Sequence, residues 1–445
     1  MNTDRCVKWL LEQEARALLT RLALVRPFGL SEVLVPAACF SPEAQVAIDR
    51  FLADGRNELR ARMQSYLDWL DGDDGDAASG EEAQRRFAFL RLRFNVVLTQ
   101  FDLFADVFTQ RSEQPTGVWL AGLDVAATDA LQLPGVFEAP PVICYLDRGH
   151  GAAIRRARTR LPGGGANPVA IVRVPRERMV GSGVASSLVH EVGHQGAELL
   201  DLVNSLRPLL HGLQRTSGGE RIAWQVWERW ISEVVADLWS IGRVGVASTL
   251  GLMALVTLPR AFVFRLSLED PHPMPWLRVL VSCAIGNAFF PHPQWQMLAA
   301  AWHTAYPLRD DLPGNHADLT AQLCRTIPQL AQMLVHHRPA TLGGQSLAEA
   351  LQVEHRQPAR LQRAYHATHG SFERLRFFPP SFSFAVLGQA KVDGRLTPEA
   401  ESRLLSDLLT FWALRREAAK ARAAIGVAPI PVARAVRTYT RRRSS

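Results

Sequence analysis

His190-Glu191-Val192-Gly193-His194 is an H-E-x-x-H pentapeptide. On a helix, residues four apart lie one above the other, so both imidazoles share a face and can grip one Zn²⁺. The glutamate between them then stands beside a water activated by the metal. A catalytic zinc of this kind has three protein ligands and an open position, whereas a structural site is closed by a fourth ligand, often cysteine. Further along, Ser232-Glu233-Val234-Val235-Ala236-Asp237 sets a Glu and an Asp four apart, on one helix face. Glu233 is the candidate third ligand. Asp237 is the candidate acceptor for the free N–H of a ligating imidazole, fixing its tautomer.

Two helices must carry these groups. Gly181-Ser182-Gly183 is loop chemistry, and Ser186 or Ser187 is the expected cap of the first helix. Counting about 100° per residue from Leu188, Val192, Leu199 and Val203 fall within about 60° of it. His190 and His194 fall near about 200° and 240°, so one face packs while the other presents imidazoles. Residues 220–243 predict the second helix, with Trp227, Ile231, Val234 and Leu238 on its core stripe and Glu233 and Asp237 away from it. Glu198, one turn beyond His194, reads as a solvent-facing or supporting carboxylate.

H-E-x-x-H followed by E-x-x-x-D resembles the gluzincin metallopeptidases, the clan of thermolysin and the prenyl-protein proteases. The Glu-x-x-Ala-Asp form is more similar to the branch of prenyl-proteases and heat-shock membrane peptidases. His272-Pro273, with Arg278 after it, is also similar to that branch. The resemblance spans roughly residues 140–280. It implies a zincin-like core with His190, His194 and Glu233 as zinc ligands, Glu191 as general base and Asp237 behind an imidazole. It further suggests His272 as a donor to the oxyanion. Arg278 is a candidate for holding a substrate carboxylate, with a salt bridge inside the fold as its alternative. In zincins a strand before the active helix lines the cleft, so by resemblance residues 169–174 form an edge strand able to pair with an extended peptide. The chain departs from that branch in lacking its several transmembrane helices.

A length of 445 residues suits two or three domains, and 47% hydrophobic with 21% charged residues is ordinary for a globular protein. The expected class is mostly α with a small β-sheet (α+β). The expected division is a helical N-terminal domain (1–138), a zincin-like core (139–300), a helical C-terminal region (301–426) and a basic tail (427–445). Apolar spacing predicts helices over residues 43–70 and 81–108, with the acidic stretch 71–76 between them as a loop lacking the EF-hand ligand order. Strands are expected at 142–146 and 169–174, flanking a connection that contains Gly163-Gly164-Gly165, either an ordinary loop or a flap. The apolar run 244–259 falls short of the roughly 20 residues a membrane span needs and reads as a buried helix behind the site.

Beyond residue 300 the pattern is helical. His336-His337, His366 and His369 read as surface or half-buried histidines, Tyr365 as a remote candidate oxyanion donor, and Thr397-Pro398 as a helix start. Five scattered cysteines without C-x-x-C argue for a reducing compartment, hence cytoplasmic, and the N-terminus reads as an amphipathic helix rather than a signal peptide. Lys8, Lys391 and Lys420 are the only lysines, a bias towards arginine that suggests a GC-rich bacterial genome. From Glu401 to Ser445 ten basic residues stand against three acidic ones, equal to the whole chain's excess of +7. That tail suits an anionic partner or a solubilising end, with no specific nucleic acid, and the chain is not expected to be an integral membrane protein. The expected function is zinc-dependent hydrolysis of a peptide or protein. The alternatives are a zincin-fold scaffold that does not cleave, or a bacterial effector or toxin using the same site.

Overall fold

A computed structural model describes residues 3–25, 34–147, 152–161, 165–175, 181–309 and 314–425. The basic tail and Gly163-Gly164 lie outside the described residues. The protein is mostly helical with one small sheet. It divides into two compact units, the first made of Met1–Gly117, Pro140–Tyr145 and Arg155–Ile171, the second of Val118–Ala139, Leu146–Ile154 and Val172–Ser445.

In the first unit three long helices, α1 (Thr3–Leu24), α2 (Pro42–Leu70) and α4 (Gly80–Ser112), pack on one another. Ser41 starts α2 by accepting a hydrogen bond from Ala44 N at 3.2 Å, and Ser79 starts α4 by accepting one from Glu82 N at 3.2 Å. Phe87, Phe94, Phe101 and Phe108 recur at one heptad spacing along α4 and are all buried, so a single aromatic stripe glues the bundle. The acidic stretch is not a plain loop. It winds into a short helix, α3 (Asp73–Ala77), whose first turn carries Asp73, Asp74 and Asp76, where negative charge complements the helix N-terminus. After α5 (Thr116–Leu131) come strands β1 (Val142–Asp147), β2 (Ala153–Arg155) and β3 (Ala170–Pro175), in the spatial order β1-β3-β2. The strand preceding the histidine helix is therefore central. Both its neighbours are already paired with it, which removes the free edge expected for residues 169–174.

The second unit holds the chemistry. Its helices continue as α6 (Ser182–Leu199), α7 (Leu202–Thr216), α8 (Arg221–Val244), α9 (Val246–Val256), α10 (Arg260–Val263) and α11 (Pro275–Phe289). Then follow α12 (Pro293–Ala305), α13 (Gly314–His336), α14 (Leu347–Ala350), α15 (Pro358–Thr368), α16 (Phe372–Leu375), α17 (Pro380–Val392) and α18 (Pro398–Ala424). Thr397 caps α18 as expected, its hydroxyl accepting from Ala400 N at 3.3 Å. The start of α6 differs from expectation: Gly181, at φ 65°, is the N-cap, and Ser186 and Ser187 are buried inside the helix. Only glycine adopts that φ at little cost, so the helix begins one turn earlier than its serines suggest.

Glycine also sets how closely α6 approaches its neighbours. A Cβ on Gly193 would stand 2.8 Å from Ala236 O on α8, and one on Gly196 would stand 2.6 Å from the Trp239 indole. On the other side, a Cβ on Gly251 of α9 would stand 2.2 Å from Ser186 Oγ. Helix α6 is thus clamped between α8 and α9 at distances no larger residue permits. The apolar run after α8 forms α9, 11 residues long and buried through its first half. Among the described residues no helix is long and apolar enough to cross a membrane.

These contacts predict opposite outcomes at two helical glycines. Gly193→Ala should cost about 1–3 kcal/mol, the scale of overpacking, because backbone rather than a flexible side chain blocks the new methyl. Gly212→Ala in α7, where nothing lies within 4 Å, should instead stabilise by about 0.4–1 kcal/mol. Thermal and denaturant unfolding of the two variants checks both signs, and a neutral Gly193→Ala would contradict the close crossing.

Candidate metal site

The α6–α8 crossing brings the sequence's two candidate segments face to face. His190, His194 and Glu233 each offer one ligand atom, and these atoms lie within 4.8 Å of one another, a group that could hold a metal ion. His190 Nε2 is 3.3 Å from Glu233 Oε2, and His194 Nε2 is 3.3 Å from Glu233 Oε1. The two imidazoles meet edge to face, with ring centroids 4.8 Å apart. Each therefore presents a nitrogen to the same carboxylate.

The groups behind these atoms fix their orientation. His190 Nδ1 lies 2.8 Å from Asp237 Oδ1, so donation there leaves Nε2 facing Glu233. Arg278 of α11 donates to Asp237 twice, from Nε to Oδ2 at 2.7 Å and from Nη2 to Oδ1 at 2.9 Å. Its Nη2 also comes within 3.4 Å of Glu233 Oε2. His194 has a weaker support, Ser232 Oγ at 3.4 Å from its Nδ1. Sequence spacing pointed to Asp237 but gave no signal for Ser232, whose role depends on how α8 is rotated against α6.

Glu191, Glu233, Asp237 and Arg278 are all buried. Burial alone would raise the Glu233 carboxyl and lower the imidazolium of His190. The cluster reverses both. Burial works against a charged His190, yet the Asp237 carboxylate lifts it to about 9. Burial works against the Asp237 carboxylate, yet Arg278 and His190 hold it down at about 2. Glu233 is pulled well below the ordinary carboxylate range by the two histidines and Arg278 despite its desolvation, and Arg278 is pushed up despite its own burial by Asp237 and the two glutamates.

Two observations bear on whether a cation fits. Glu233 Oε2 is buried and makes no hydrogen bond, although His190 Nε2, Arg278 Nη2 and His272 Nε2 all lie within 3.7 Å. None of these contacts is a hydrogen bond, His272 standing beyond reach, so proximity does not satisfy that oxygen. Three buried carboxylates stand against the Arg278 guanidinium and the raised imidazolium of His190, a surplus of one negative charge that becomes two when His190 gives up its proton to a divalent cation. Two imidazoles and a carboxylate without a thiolate form the donor set of an open site rather than a closed one. The residues fit a metal.

His272 comes to the same place from the loop before α11. Its Nε2 lies 3.7 Å from Glu233 Oε2, and its side chain is 56% exposed, unlike the groups below it. Arg278 does not reach outward. Its guanidinium is committed to Asp237, the second of the two alternatives its sequence position allowed. Tyr365 is elsewhere, its hydroxyl donating to Arg395 O at 3.3 Å. His337 pairs with Ser205 at 2.8 Å, His336 with Gln332 at 3.1 Å, and Glu198 is exposed outside the donor group. None of the five cysteines is joined in a disulfide.

Compared with protein-family models, curated proteins and solved structures, the chain has no match.

The geometry separates two roles for Arg278. As a structural counter-charge, its replacement by Met should destabilise the fold by roughly 3–5 kcal/mol, since two carboxylates lose their buried partner. A group that only met substrate would leave unfolding unchanged, so calorimetry of Arg278→Met decides. Asp237→Asn keeps the shape but removes the charge behind His190, and should weaken metal affinity by roughly ten- to a hundredfold in competition with a chelator.

Proposed function

We propose that the protein is a zinc-dependent metallopeptidase with a zincin-like core. The observation that carries this reading is the juxtaposition, on two crossing helices, of His190, His194 and Glu233 with a buried Glu191 that no ligand role requires. A scaffold that merely bound metal would need the three ligands alone. The resemblance of H-E-x-x-H and E-x-x-A-D to the gluzincins adds the choice of zinc and of a peptide bond.

His190, His194 and Glu233 would hold the ion, which when bound supplies Lewis acidity to a water and to a substrate carbonyl. Glu191 accepts the proton of the attacking water and returns it to the departing amine. Asp237 keeps the His190 tautomer and ring plane fixed, and Arg278 keeps Asp237 ionised. His272, the exposed member of the cluster, faces the incoming carbonyl oxygen and donates to it as negative charge develops there. Five cysteines without a disulfide among them suit a reducing setting.

The protein should carry close to one equivalent of zinc by elemental analysis, sharply reduced in His194→Ala. Glu191→Gln should keep the zinc yet lose hydrolysis by at least about a hundredfold, the scale of general-base loss. A proteome-wide cleavage screen comparing wild type with Glu191→Gln supplies substrates. Equal cleavage by the two proteins would exclude the mechanism.

A further inference from the structure

Helices α7 and α8 pack on each other as a hairpin, and at its turn lies a cavity of about 550 Å³ lined by His211, Gln214, Arg215, Gly218 and Arg221. His211, Gln214 and Arg215 stand three and four residues apart near the end of α7, so they share one face. Gly218, at φ 48°, takes the left-handed conformation that lets the chain reverse, and Arg221 then opens α8. Glu228, two turns further along the same face of α8, orders the groups of α7. Its Oε1 lies 2.8 Å from His211 Nε2, and its Oε2 accepts from Gln214 Nε2 at 2.7 Å. Burial works against that carboxylate, yet Gln214 and His211 hold it below its ordinary range. Both its oxygens are thus engaged. The two arginines are not. Arg215 and Arg221 are exposed, and among the described residues neither guanidinium has a hydrogen bond or an ion pair. Other exposed arginines, such as Arg62 with Glu58 and Arg338 with Glu349, hold a carboxylate. Even Glu220, next in sequence to Arg221, faces Arg325 instead, at 3.4 Å.

We propose that this cavity binds the phosphate group of a small, polar phosphorylated molecule, with Arg215 and Arg221 taking the phosphate oxygens between them. Two guanidiniums that face one cavity without a carboxylate of their own attract an anion, and the planar donor fork of each matches phosphate geometry. The volume falls within the roughly 300–1,000 Å³ of small-molecule sites and exceeds what a phosphate ion alone fills, which leaves room for an organic body. No apolar side chain lines the cavity, so that body is polar and an acyl chain is excluded. The site is separate from the metal cluster. Arg221 precedes Glu233 by twelve residues, about 18 Å along α8 and about 120° around it. The proposal therefore goes beyond the peptidase reading and does not depend on it.

The test is calorimetric titration of the full-length protein with inorganic phosphate, with acetate and with a short oligothymidylate. Phosphate should bind once per chain, and acetate at least about tenfold more weakly, because it offers one charge and two oxygens. Arg215→Met and Arg221→Met should each weaken phosphate about tenfold, the scale of one charge-assisted contact, and the double variant should show no saturable binding. Arg62→Met, which removes an arginine of α2 in the first unit, should bind phosphate as wild type does. All these side chains are exposed, so the unfolding temperature should not move, and lost binding then reports the site rather than the fold. Any affinity for the oligothymidylate should be indifferent to Arg215→Met and Arg221→Met. Three results would overturn the proposal: no saturable phosphate binding by wild type, undiminished binding by the double variant, or an oligothymidylate that binds through these two arginines where phosphate does not. The last would make the turn part of an open polyanion surface. None of these readouts uses hydrolysis or zinc, so this site and the peptidase reading fail separately.

Discussion

Everything at the site depends on how closely two helices cross. Gly193 and Gly196 remove the side chains that would hold α6 away from Ala236 and Trp239 of α8. Only at that separation do His190 and His194 meet Glu233 and Asp237 across the gap. Each glycine costs roughly 0.5–1 kcal/mol of helix stability relative to alanine, so the approach opposes local propensity. Burial of four tryptophans along α8, Trp224, Trp227, Trp230 and Trp239, offsets that cost, because each large ring removed from water contributes on the scale of a few kcal/mol. Three of their indole N–H groups also find acceptors, in Thr326, Asp270 and Ala130. The helix that carries the carboxylates is thereby fixed in rotation as well as in position.

Fixed rotation matters because the buried charges cannot relax. Arg278 binds Asp237 at two points, Asp237 binds His190, and His190 faces Glu233. The carboxylates and the guanidinium are held charged by their neighbours against their own desolvation, and His190, raised by Asp237, gives up its proton when it takes a cation. An isolated carboxylate at this depth would protonate instead, and a protonated Glu233 would be a poor metal ligand. Arg278 therefore acts on the candidate metal site from behind, its Nη2 lying 3.3 Å from both His190 ring nitrogens and 3.4 Å from Glu233 Oε2, through the ionisation of the two carboxylates beside it. Its own commitment to Asp237 also explains why it is unavailable to a substrate.

Much of this was legible in the sequence, and the limits have physical causes. Spacing of four residues specified that His190 and His194 share a face, and Glu233 and Asp237 another, because helical periodicity is a local property. The long helices of the first unit, the strands at 142 and 170 and the cap at Thr397 were likewise local. The start of α6 was misread because serines are frequent caps, whereas the chain used the backbone freedom of Gly181. The edge position assigned to residues 169–174 failed for a different reason. Strand order is set by a partner, Ala153–Arg155, of only three residues and without a periodic signal. Ser232 was missed altogether, since its meaning depends on tertiary placement. Even the helical wheel for α8 was incomplete. Glu233 and Asp237 do lie off the stripe of Trp227, Ile231, Val234 and Leu238, but they are buried too, against α6 and α11 rather than solvent.

That last difference changes the chemistry the site can do. A carboxylate on a solvated face competes with water for any cation and gains little from it, because water screens the pair. The same carboxylate under cover, with one oxygen left without a hydrogen bond, pays a desolvation cost that a cation removes on binding. Affinity then comes from relieving a strain already present in the folded protein, not from ordering loose ligands. The exposure of His272 above this layer completes a gradient, with anchored charge below and a reachable imidazole on top. A ligand approaching from solvent would meet His272 before the carboxylates, whereas the groups that set ionisation lie below it. Division into a rigid lower layer and an accessible upper one would let such a site hold a cation while one face stays open to exchange.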